Sequence, residues 1–208
     1  LFALAFILGY QIMQWIFKQE GKNLKDLETL TVTMIIATII GARLGHCLFY
    51  DPEYYLLNPV EILKIWQGGL ASHGAAIAIL IAIWLYIKKR RDFTYLWVID
   101  RIVIVVALAG FFIRAGNFFN SEMIGLPADL PWAIVFERFD NVPRHPGQLY
   151  EALSYLIIFL FLFFKYKKQK QNISDGLLFG LFMVLVFTAR FFIEFVKINQ
   201  VPFEDTIP

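Results

Sequence analysis

The chain has 208 residues, 59% of them hydrophobic, with a formal net charge of +2 and a mean hydropathy of +0.61. A soluble domain is about 45–50% apolar, so this composition excludes an ordinary soluble globule. The small net charge is uninformative by itself, and no nucleic-acid partner is expected.

Six apolar segments can be drawn, near 1–17, 30–50, 69–87, 93–113, 148–166 and 176–197. Several reach the ~20 residues that a bilayer crossing needs. The fold class they predict is an all-α integral membrane protein, a multi-pass helical bundle. Lys18, Lys22 and Lys25 follow the first segment, Lys88-Lys-Arg-Arg91 the third, and Lys165, Lys167, Lys168 and Lys170 the fifth. Basic residues after alternate segments mark cytoplasmic loops. Segments two, four and six then run outward, and loops 51–68 and 114–147 face outside. Leu1 begins in mid-hydrophobe without an initiator Met or charged leader, and the end at Pro208 looks cut. Both native ends are expected to lie beyond this sequence. With no internal repeat and no room for a soluble domain, 1–208 reads as a single membrane domain.

In chain order, segment two contains Gly41-Ala-Arg43-Leu-Gly45-His46 and also holds Cys47, the only cysteine. One cysteine excludes an intrachain disulfide and a multi-cysteine metal site, and Cys47 reads as a small buried residue. Segment three opens with Gln67-Gly68-Gly69-Leu-Ala-Ser72-His73-Gly74, and segment four carries Asp100-Arg101. Directly after segment four comes Arg114-Ala-Gly-Asn117-Phe-Phe-Asn120-Ser-Glu122-Met-Ile-Gly125. Segment six contains Arg190-Phe-Phe-Ile-Glu194, whose ends fall on one helix face and can pair. An arginine at mid-bilayer costs about 2.5–3.5 kcal/mol on insertion scales, and a helical ion pair returns only about 0.3–0.5. Such residues are kept where a pathway or a reaction needs them. On this topology Arg43, His73, Arg114 and Arg190 sit in outer halves or outer mouths and can converge on one outward cavity. Arginines binding in pairs suit phosphate, and a lipid headgroup is the natural anion at that depth. His73 can carry a proton near neutral pH.

Plainer readings compete with these. His73 after two glycines can cap a helix or bond a carbonyl. Arg43 and Arg101 can snorkel to headgroups, and Arg101 with Asp100 can be structural glue. Arg190 with Glu194 can be a packing pair. The Lys clusters are topological, and the Phe-rich runs 159–164 and 191–195 are lipid contact or core. Only the Arg114–Gly125 block lacks a simple packing explanation.

Five motifs in order resemble those of the prolipoprotein diacylglyceryl transferase family, over nearly the whole chain. Arg-x-Gly-Asn-Phe-x-Asn-x-Glu reads as Arg114 to Glu122, followed by Gly125 and Leu130-Pro-Trp132. Gly-Gly-x-x-x-His-Gly reads as Gly68 to Gly74. Arg-His-Pro-x-Gln-Leu-Tyr-Glu reads as Arg144-His145-Pro146-Gly147-Gln148-Leu149-Tyr150-Glu151. Arg-Phe-x-x-Glu reads as Arg190 to Glu194, and Gly-x-Arg-Leu-Gly as Gly41 to Gly45. Ile113, Gly147 and Ala75 depart from the usual residues. A family tyrosine in an Arg-x-Tyr-Gly element is expected before Leu1, and a seventh span after Pro208.

The resemblance implies a bacterial inner-membrane transferase of lipoprotein biosynthesis. It would move the diacylglyceryl group of phosphatidylglycerol to the lipobox cysteine of a preprolipoprotein signal peptide, at the outer leaflet. It implies membrane lipids as partners and no cofactor, and the scattered His and carboxylates show no metal-ligand spacing. His73 is then the candidate base. Arg114 and Arg190 clamp the phosphate, while Asn117, Asn120, Glu122, Gly125 and Glu194 bind lipid or orient the clamp. Arg43, Asp100, His145 and Tyr150 are supporting residues. Two other classes stay open: a transporter of an organic anion, against which the missing inverted repeat speaks, and a scaffold that only binds headgroups. Turnover separates the three.

Overall fold

The computed structural model describes residues 1–90 and 92–198. Its helices are α1 (Phe2–Gln19), α2 (Leu24–Phe49), α3 (Pro52–Leu57), α4 (Ser72–Lys88), α5 (Tyr95–Asn120), α6 (Gly147–Gln169) and α7 (Leu177–Glu194), with a short ribbon of β1 (Ile134–Val135) and β2 (Pro143–Arg144). Among the described residues, four helices are long and apolar enough to cross a membrane: α2, α5, α6 with its 3-10 extension, and α7. Helix α4, at 17 residues, is shorter, and α1 is diluted by Gln11, Gln14 and Lys18. Six apolar segments thus give four helices that meet the length and hydropathy limits.

The chain folds as two compact units, one of Leu1–Ile16 with the chain from Asp100 onward, the other of Phe17–Ile99. In the second unit, Asn23 opens α2 by accepting a hydrogen bond from the Lys25 N–H at 2.9 Å, a cap for an orphan donor. Gly41 and Gly45 of α2 lie against Gly74 and Ala78 of α4. A Cβ on Gly45 would come within 2.6 Å of the Gly74 Cα. Small residues four apart let the two backbones approach without side chains between them. Cys47 is buried beside them. At the opposite end, Phe17, Phe93 and Trp97 form an aromatic cluster with centroids 5.0–6.0 Å apart. There Arg90 pairs with Asp26 at 2.9 Å.

In the first unit, Gly110 of α5 faces the Tyr155 ring of α6, which a Cβ would meet at 2.8 Å. Trp15 of α1 packs on Phe163 and Tyr166. Asp100, fully buried, accepts from the Gly176 and Phe179 N–H groups at 2.8 Å each. It therefore caps α7 from another helix, satisfying donors that would otherwise be orphaned in an apolar setting. Arg101 is buried beside it, 4.0 Å from its carboxylate and 5.8 Å from the Tyr166 ring. That is the structural-glue arrangement.

Helix α5 runs to Asn120, two turns past the segment drawn to 113, so the loop starts at Ser121 rather than at 114. Arg114, Asn117 and Asn120 recur every third residue and continue the helix as a polar stripe. The helix stops where Ser121 and Met123 take positive φ of 58° and 55°.

Candidate active site

The polar stripe of α5 leads into a tightly tied turn. Glu122 takes the Asn117 amide at 2.6 Å and the Asn120 amide at 3.3 Å. Its backbone carbonyl accepts from Gln148 Nε2 at 2.5 Å. Glu122 therefore holds two carboxamides of the same helix end. The arginine's partner is Glu151, one turn into α6, whose Oε2 lies 2.7 Å from Arg114 Nε. Glu151 is 2% exposed, and its oxygens accept no hydrogen bond among the described residues, so charge holds it in place. Arg114 Nη1 turns to the Met123 sulfur.

Glu151 also lines a crevice between α6 and α7, with Ser154, Tyr155, Val186 and Arg190 among its walls. Arg190 is exposed and makes no hydrogen bond or ion pair among the described residues. The expected pairing of Arg190 with Glu194 is absent. Glu194 contacts Lys197 at 3.4 Å instead, because the chain leaves the helix after Glu194 and turns back. There Leu126 N–H donates to the Val196 carbonyl at 2.9 Å, and Gly125 pairs antiparallel with Lys197. Gly125 is needed for this approach: a Cβ would come within 2.7 Å of the His145 Cβ and 2.8 Å of the Val196 oxygen.

The loop between α5 and α6 is braced at several points. Tyr150 Oη accepts from Trp132 Nε1 at 2.8 Å and sits 3.2 Å from His145 Nδ1. Arg144 donates to both carboxylate oxygens of Asp140 and, at 3.3 Å, to the Gly125 carbonyl. The Arg144 hydrogen bond holds the Asp140 carboxyl below its ordinary range, and the same bond raises Arg144. His145 in the loop and Tyr150 on the first turn of α6 are thus tied to each other and to Trp132.

In the other unit, Arg43 is buried and spends its donors on backbone carbonyls: Ile62 at 2.9 Å, Gly68 at 2.7 Å and Glu61 at 2.6 Å. Its plane also lies 5.1 Å from the Tyr55 ring. It organises the segment between α3 and α4 and does not present an open fork to an anion. His73 is exposed on the first turn of α4, its ring beside Phe49 at 5.2 Å and Tyr50 at 5.9 Å.

A polar stripe leading into a glycine-closed loop, with an arginine held by a buried glutamate, is built from two of the five motifs, Arg114 to Glu122 and Arg144 to Glu151. The profile of the prolipoprotein diacylglyceryl transferase family matches residues 1–207. The chain belongs to that family. It is 53% identical to the phosphatidylglycerol–prolipoprotein diacylglyceryl transferase of Tolumonas auensis, over 98% of this chain and 79% of the relative. The corresponding enzyme of Chloroherpeton thalassium is 47% identical over 100% of this chain and 77% of its own length. That of Bacteroides fragilis is 42% identical over 100% and 79%. As a member of the diacylglyceryl transferase family, the chain is a multi-pass membrane enzyme of lipoprotein maturation.

Sequence reasoning gave no role to two charged residues found beside Arg114, namely Glu151 and Lys197. Glu151 stood inside a quoted motif and inside an apolar segment, where a lone carboxylate is already a signal. Lys197 carried no local signal, since a lysine at the last position of a drawn span reads as an interfacial anchor.

Proposed function

We propose that this chain transfers the diacylglyceryl group of phosphatidylglycerol to the lipobox cysteine of preprolipoproteins, at the outer face of the bacterial plasma membrane. The relatives' names specify phosphatidylglycerol and a prolipoprotein. The observation that carries the assignment of residues is the contact of Arg114 with the buried Glu151, which lines the small α6/α7 crevice together with Arg190. Glu151 occupies the Nε of Arg114 and Met123 its Nη1, which leaves Nη2 for a phosphate oxygen, and Arg190 makes no hydrogen bond or ion pair among the described residues. Two guanidinium groups of fixed charge match a phosphodiester better than lysines would.

In the reaction the substrate thiolate attacks the glycerol carbon that bears the phosphate. The C–S bond forms, the C–O bond breaks, and its electron pair leaves on the oxygen of glycerol 1-phosphate. The arginine pair stabilises the charge that grows on that oxygen. Asn117, Asn120 and Glu122 fix the end of α5 from which Arg114 projects, and Gly125 seats the loop behind it. A thiol with a pKa of about 8.5 is mostly protonated at neutral pH, so its proton needs an acceptor. His73 is assigned that role on its chemistry.

The test uses the intact protein in detergent with phosphatidylglycerol and a lipobox peptide, following glycerol phosphate release and the mass gain on cysteine. Both should occur together, and Arg114→Ala should lower kcat/KM by about 10²–10³. No mass gain from folded, lipid-binding protein overturns the transferase reading. Full activity in Arg114→Ala overturns the clamp.

A further inference from the structure

Lys197 has no part in the clamp as described, yet it is 7% exposed and its side chain points into charged surroundings. Its Nζ lies 3.5 Å from Glu151 Oε1 and 3.4 Å from Glu194 Oε2. Glu151 is thus shared between two cations, one oxygen toward Arg114 and the other toward Lys197. Two features set the lysine there. Its backbone pairs with Gly125, and its stem passes Gly147, where a Cβ would lie 3.4 Å from the Lys197 Cγ. Gly147 is four residues before Glu151 on α6, so a stem over the first places the ammonium over the second.

We infer that Lys197 is a positioning residue for phosphate binding, which takes up part of the Glu151 charge and so leaves Arg114 available to the lipid phosphate. This inference rests on the clamp reading above. The charges around the crevice support it. Among the described residues, Arg114 and Lys197 contact Glu151, Lys197 also contacts Glu194, and Arg190 lines the crevice; these five charges sum to one positive, for the single negative charge of a phosphodiester. Without Lys197 the set is neutral before lipid arrives, and Glu151 binds Arg114 alone. The buried carboxylate, with no hydrogen bond to hold its charge elsewhere, then competes directly with the phosphate.

The backbone bridge to Gly125 does not use the lysine side chain, so its removal spares the loop. Lys197→Met should raise KM for phosphatidylglycerol roughly three- to thirtyfold, the coupling expected within one ion-pair network, with a smaller change in kcat. Lys197→Arg should restore most of the lost affinity. In a Glu151→Gln background, Lys197→Met should have little further effect on KM, because the competing charge is gone. A KM unchanged in Lys197→Met, or an equal loss in both backgrounds, overturns the inference. If Lys197→Met does not fold, the neutral and polar Lys197→Gln gives the same reading; failure of both assigns Lys197 to the fold alone and overturns it too. Arg114→Ala in the same assay separates the two claims. If it stays active the clamp fails, and if it is inactive while Lys197→Met matches wild type only this inference fails.

Discussion

Asp100 is placed to test whether a buried carboxylate on a membrane helix serves the fold or the chemistry. Asp100→Ala removes the acceptor of two N–H groups at the start of α7, each bonded at 2.8 Å. Hydrogen bonds to a charged acceptor are worth about 1.5–3 kcal/mol each. Against their loss stands the relief of burying the carboxylate, so a net cost of about 3 kcal/mol is the working figure. For a chain of this size that lowers Tm by roughly 6–12 °C. The same residue is 14 positions before Arg114 on α5, about 21 Å along a helix rising 1.5 Å per residue. The reacting groups of the clamp are therefore beyond its reach. The assay is thermal unfolding in detergent, paired with transferase kinetics at a temperature where wild type and variant are both folded. Asp100→Ala should lose stability and keep its KM and kcat within about twofold, and Asp100→Asn, which retains one acceptor oxygen, should lie between. A variant with wild-type Tm and little activity would refute the capping role.

Three further outcomes are expected. Gly45→Val should destabilise the α2–α4 pair by about 1–3 kcal/mol, the usual cost of overpacking, because its Cβ meets the Gly74 backbone and has no side chain to push aside; denaturant unfolding followed by the Trp84 fluorescence of α4 reads it. Arg43→Ala should free the segment 59–69 by removing bonds to the Glu61, Ile62 and Gly68 carbonyls, seen as several-fold faster limited proteolysis there; proteolysis at the wild-type rate would count against its structural role. Asp140 has a folded pKa below its ordinary 3.8, so the Arg144 contact contributes stability above that value and loses it as pH falls through the depressed one. Amide protection in the α5–α6 loop, measured against the intrinsic exchange rate at each pH, should hold steady from neutral pH down to about pH 4 and fall below it, while Asp140→Asn should show the lower protection already at neutral pH.

The sequence showed the helices and half of the site, and the division follows from which interactions are local. Apolar length and basic flanks located every long helix, because both act within one segment. The Arg114, Asn117 and Asn120 stripe was visible too, although its density of polar groups made helix look like loop; threefold spacing was the better guide. Arg190 and Glu194 show where local rules mislead. Their i,i+4 spacing permits a pair, but Lys197 reaches Glu194 from beyond the helix end, where a cation is also favoured by the C-terminal carbonyls. That competition depends on the chain turning back to Gly125, a contact between residues far apart in the sequence. Glu151 is the same case in reverse: its motif was read, but its role depended on Arg114 and Lys197 arriving from two other elements. Arg43 shows the remaining difficulty. A buried arginine near glycines reads equally as anion ligand or loop anchor, and the carbonyls that decide between them come from a segment with no regular period of its own. The residues hardest to assign from sequence are thus those whose charged groups find their partners in other segments.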